Sequence, residues 1–195
     1  MMDRSLFAVA LATPALLLTA CGGGEPAAEG GITPKQMADA LHAVMEADRT
    51  VYTRRVVNRL QNKEQVIQAS EHFEDDKALP LPAQMFRFGA EMVAENEAAG
   101  FTYSLQSLWP INDQNAPRTE AEKTGLQFVA DNPGENYYTT EALGGTEYFT
   151  AVYADTAVAP ACVPCHNDHR DTPRSDFEIG DVMGGVVLRI PVGGS

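Results

Sequence analysis

The sequence predicts an α+β fold, with helices first and mostly antiparallel strands after them, and three observations carry that reading. Met37, Leu41, Val44, Val51, Val56 and Leu60 recur at helical spacing. Two β-rich runs flank Gly144-Gly145, the signal of a hairpin. A last apolar run from Val182 to Val192 reads as a closing strand, with Gly184-Gly185 allowing a close backbone approach or a bulge.

Taken in order, Thr33-Pro34-Lys35-Gln36 places an N-cap, a proline at the first helical position and a capping-box glutamine at the third, so a helix begins here and runs close to Asn62. Glu46, Arg49, Arg54 and Arg59 suit its wet face. Glu71 to Lys77 is polar and reads as loop. Pro80-Leu81-Pro82 then opens a second helix through about Ala99, closed by Gly100, with Met85, Phe86, Gly89, Met92 and Val93 as its buried stripe. Phe101, Tyr103 and Leu105 alternate with polar residues as a half-buried strand, and Thr119-Glu120-Ala121-Glu122 is another capping box, opening a short helix towards Val129.

The chain has 195 residues, 44% hydrophobic and 21% charged, enough for one domain with a real core. Its 27 acidic against 14 basic residues give a formal charge of −13, which repels phosphate backbones and argues against nucleic acid as a partner. The N-terminus reads as an export signal: Arg4, then an apolar stretch from Leu6 to Ala20 that is short for a membrane span. Leu18-Thr19-Ala20-Cys21 resembles the bacterial lipobox, in which the cysteine thiol is acylated and becomes the first residue. Residues 1–20 are thus expected to be a lipoprotein signal peptide, 21–32 a flexible tether rich in glycine, and 33–195 a single domain. The expected location is the periplasmic side of a bacterial membrane, held there by lipid on Cys21.

Three cysteines are present, and with Cys21 assigned to lipid and the other two to a single motif, no pair remains for a structural disulfide. The other two stand in Cys162-Val163-Pro164-Cys165-His166, the C-x-x-C-H pattern of c-type haem attachment: two thiols spaced to reach both vinyl groups, then an imidazole for the iron. One covalent haem c is therefore expected at Cys162, Cys165 and His166. A zinc site of Cys162, Cys165, His166 and His169 is a poorer fit, because adjacent Cys165 and His166 diverge from one tetrahedral ion. A thioredoxin-like pair lacks its βαβ context. Haem c is completed outside the cytoplasm, so the export signal and the motif demand the same compartment.

Beyond the motif, Leu105-Gln106-Ser107-Leu108, Asn112, Asn115-Ala116-Pro117 and Glu120 or Glu122 resemble the S-L-x-x-x-N-P-x-N-A-P-x-x-x-E signature of the haem-c-binding, PAS-like sensor domain family. Ala161 to Asn167 is similar to that family's haem loop, and Gly180 to Gly185 to its last strand. The resemblance spans about Thr33 to Val192 and implies a PAS-like α+β domain. It also implies a sensor or electron carrier, signalling or passing single electrons to a redox or signalling partner. A haem enzyme acting on peroxide or nitrogen oxides is the alternative, and would need an open distal site with a polar residue such as Arg87 or His72. The family's second iron ligand varies. Here the candidates are His72, placed in a polar segment that could fold over the haem, then His42, Met45, Tyr52 and, less well placed, His169.

Overall fold

The structure is a computed structural model that describes residues 31–193. Cys21, the signal peptide and most of the tether lie outside the described residues. Helix α1 spans Pro34–Val51, and its capping box forms as expected: Thr33 Oγ1 accepts from the Gln36 amide at 3.1 Å, and Gln36 Oε1 accepts from the Thr33 N–H at 3.0 Å. The helix does not stop at Val51 but continues as a π-helix over Tyr52–Lys63, whose wider turn is visible in the Glu64 N–H bond to the Arg59 carbonyl at 2.9 Å.

This change of pitch corrects the expected buried stripe. Val44 and Val51 are exposed within the α-helical part, and in the π-helical part the wider turn shifts the inward face to Thr53, Val57 and Asn58, which are buried. Arg49 is likewise not on a wet face; it is turned inward, as described below. The segment read as loop is bracketed by two short parallel strands, β1 (Ala69–Ser70) and β2 (Leu79–Pro80). Helix α2 (Pro82–Ala94) ends earlier than expected, at a turn before Gly100, and its Met92 is exposed.

Strands β3 (Thr102–Gln106), β4 (Tyr137–Leu143), β5 (Thr146–Thr156) and β6 (Val182–Pro191) build one antiparallel sheet in the order β3-β6-β5-β4. Gly144 and Gly145, both at positive φ, turn the β4-β5 hairpin. Helix α3 (Glu120–Asp131) carries its expected capping box on Thr119 and Glu122. Both faces of the sheet are covered. Ala151, Tyr153, Val186, Leu188 and Ile190 pack with Ala38 and Phe86 beneath α1 and α2, whereas Val152 and Val187 pack with Leu126 and Val129 of α3 on the other face. Double coverage explains why β6, one of the two inner strands, is apolar at nearly every position instead of alternating.

The glycine pair expected to permit close approach does so: a Cβ on Gly184 would lie 2.4 Å from the Gln106 carbonyl oxygen. The β5-β6 register slips between Asp155 and Thr156, a bulge at the end of the sheet. There β5 hands over to helix α4 (Cys162–Asn167), and this end of the sheet holds the candidate site.

Candidate cofactor site

The C-x-x-C-H run is a short helix instead of an open loop. Pro164 sits in its first turn, where no backbone donor is required, and the Asp168 N–H closes the end on the Pro164 carbonyl at 3.0 Å. Side chains three and four apart share a helical face. Cys162, Cys165 and His166 accordingly line one cavity, and both cysteines are free thiols.

That cavity is a cleft open to solvent on one side, with about 730 Å³ of space outside atoms counting its open mouth. The long helix provides one wall with Arg49, Thr53, Val57 and Gln61. Leu81 and Pro82 from the start of α2, Asp155 at the end of β5 and Met183 on β6 contribute the others. The wall is thus mostly apolar with a few polar groups, as cofactor cavities are. Thr53 Oγ1 is occupied, donating to the Arg49 carbonyl at 2.8 Å, and Gln61 Oε1 accepts from the Ala69 N–H at 2.8 Å, which ties β1 to the wall.

Helix α4 is held from behind. The Asn167 side chain clamps Phe177 through both backbone groups, donating to its carbonyl at 2.9 Å and accepting from its N–H at 3.1 Å. Phe177 in turn meets the His166 ring edge-on at 6.1 Å and Trp109 at 5.8 Å, with the Arg174 guanidinium over both aromatic rings. Packing of this kind fixes where the imidazole points. Neither His166 nitrogen has a hydrogen-bond partner among the described residues. Burial holds the His166 pKa below the usual histidine range, with Arg49 and His169 adding to the shift and Asp155 opposing it. The ring is therefore neutral near pH 7, the form that ligates a metal.

Arg49 is the functional candidate that the sequence conceals. Its side chain is only 17% exposed and its Nη1 donates to Asp155, but Nε is buried with no partner. An unanswered buried donor on a charged group costs about 1–3 kcal/mol or more, so one left on a cavity wall points to a group that belongs there. Two thiols and an imidazole on one turn, a largely apolar cleft and an orphaned guanidinium donor together fit a haem with acidic edge groups and an iron to ligate.

The other expected ligands are not brought to this cavity. His72 is 72% exposed on the turn between β1 and β2, with Nε2 3.5 Å from Glu71, because the Ser70 hydroxyl bonds to Asp76 and its oxygen accepts from the His72 N–H, closing the turn on itself. His42 stacks on Tyr153 at 3.9 Å and lines a separate, smaller cavity. Met45 packs into the core, and Tyr52 donates to the Pro80 carbonyl at 2.8 Å. His169 Nδ1 accepts from the Asp171 N–H at 3.1 Å. Arg87 is exposed beside Glu91 on α2. Among the described residues no three metal-binding side chains converge in the manner of a zinc site.

These features define an α+β protein whose sheet end carries a paired-thiol and imidazole helix on a largely apolar cavity. The chain belongs to the Tll0287-like family, whose model matches residues 32–191. Its fold is similar to the crystal structure of the cyanobacterial heme-protein Tll0287, at 17% identity and a TM-score of 0.51, covering 82% of this chain and 96% of that one. No curated protein matches the chain.

Proposed function

We propose that this protein is a lipid-anchored, periplasmic mono-haem c-type protein of PAS-like fold that senses redox state or a small ligand, or passes single electrons to a partner. The observation that carries the reading is the C-x-x-C-H turn opening on the cavity, in a chain whose family and fold match a heme-protein. Thioethers from Cys162 and Cys165 would hold the haem and His166 would ligate its iron, the group supplying reversible one-electron chemistry and a ligand-binding metal. The chain's own part is to orient the imidazole through Phe177 and Asn167, and to exclude water with the apolar wall. The order β3-β6-β5-β4 with helices over the sheet supports the PAS-like description. Arg87 and His72, the polar groups considered for peroxide or nitrogen-oxide turnover, stand outside the cavity, which favours sensing or electron transfer over that enzyme reading.

The test is expression with haem-c maturation in an exporting host. Haem should stay with the chain through denaturation and acidified organic solvent, and Cys162→Ser with Cys165→Ser should abolish this. Extraction of haem from the unmutated protein would refute covalent attachment. Cys21→Ser should release the protein from membranes into the soluble fraction. Persistent membrane association of that variant would refute the lipid anchor.

A further inference from the structure

Arg49 stands where two cavities meet. With Asp155, Thr156 and Val158 it lines both the large cavity and the small one that contains His42, so the Arg49–Asp155 pair forms part of the partition. Arginine carries five N–H donors in a rigid fork and stays charged at any physiological pH. Asp155 answers Nη1 and cancels the net charge, and tethers the guanidinium so that it cannot swing to solvent. What is left on the wall is a set of directed donors, of which Nε is buried and unpartnered.

Outside the Cys-His turn, the large cavity offers no histidine, cysteine or tyrosine among its lining residues, and its one thioether, Met183, packs with Ala157, Phe177 and Cys162. The cavity therefore holds one imidazole and a hydrogen-bonding guanidinium among its lining residues, where a closed electron-transfer site would supply a second strong ligand.

We infer that Arg49 recognises a small, acceptor-bearing ligand that enters the large cavity and binds at the iron, a molecule of two or three atoms such as azide. The inference rests on the haem-c reading above. It makes the protein a binder of small ligands through a directed hydrogen bond, with ligands that accept poorly, such as CO, gaining little from Arg49.

The experiment is an absorption titration of purified holoprotein, ferric with azide and ferrous with CO. The wild type should bind both, and Arg49→Ala should weaken azide by about tenfold to a hundredfold, the range of a hydrogen bond involving a charged group, while CO changes by only about twofold. Since Arg49→Ala strands Asp155 unpaired, the double variant Arg49→Ala with Asp155→Asn repeats the measurement without a buried lone charge, and should show the same selective loss. His72→Ala should leave both titrations unchanged. Azide affinity unaltered in both Arg49 variants overturns the inference, as does a wild type that takes up neither ligand. A shifted reduction potential with azide affinity unaltered would assign Arg49 to the haem's own carboxylates and also overturns it. Absence of covalent haem from the unmutated protein is a different failure, read on a denaturing gel, and removes the haem-c reading together with the inference.

Discussion

Glu122 shows how one residue serves two scales of structure at once. Its carboxylate caps α3, accepting from the Thr119 N–H at 2.9 Å, and reaches across the sheet to Arg189 Nη2 at 2.7 Å and Gln106 Nε2 at 2.7 Å. Burial by itself raises its pKa, but these bonds and the Arg118 N–H outweigh burial and hold the carboxyl below its ordinary value. A depressed folded-state pKa contributes stability above the unfolded value, about 4.3, and that contribution is lost as pH falls through the folded value. Glu122→Gln should therefore lower stability near neutral pH by about 3 kcal/mol, since it breaks a buried ion pair, and flatten the acid arm of the stability curve. Urea midpoints from pH 7 down to about 3 check this; parallel curves for the two proteins would refute it. Arg189 keeps a second partner in Glu141 Oε1 at 2.8 Å, so the variant is expected to fold.

At the scale of elements, the α-to-π transition in the long helix and the glycine pair in β6 decide the shape of the site. The π-helical stretch brings Thr53, Val57 and Gln61 to the cavity wall in line with Arg49. Opposite, Gly184 lets β6 run against the β3 backbone just where Met183 enters the cavity. A Cβ there meets a backbone oxygen that cannot step aside, so Gly184→Ala should cost about 1–3 kcal/mol by overpacking, read as a lower midpoint in chemical denaturation. Gly134, where a Cβ meets nothing within 4 Å but φ is +92°, is the control in which only backbone strain is added. Equal loss at both positions would refute the close-approach account.

For the whole molecule, the cavity lies between elements far apart in sequence, the helix of residues 34–63 and the turn at 162–167. A covalent cofactor held there would join these two segments and add contacts to both. Haem-loaded protein should melt higher than the same chain made without haem-c maturation, by on the order of 10 °C, as followed by circular dichroism. Coincident melting of the two forms would refute a cofactor-supported domain.

The amino-acid sequence by itself determined what is written in local signals. Capping boxes at Thr33 and Thr119, the Gly144-Gly145 turn, the apolar β6 run and the C-x-x-C-H spacing each depend on residues within a few positions of one another, and each was legible. Tertiary structure alone decided the rest. Arg49 reads as a solvated charge in helical periodicity, because its partner Asp155 is more than a hundred residues away. His72 reads as a free loop histidine able to reach an iron, but β1 and β2 pair across the loop and its turn leaves the His72 side chain exposed beside Glu71 and not among the cavity's lining residues. Which face of the long helix is buried is likewise not legible in the spacing of its apolar residues, since it packs on β5, β6 and α2, elements distant in sequence or later in the chain. Periodicity reports only neighbours along the chain, whereas ligand position, ion pairing and cavity shape are set by contacts between segments that the chain brings together last.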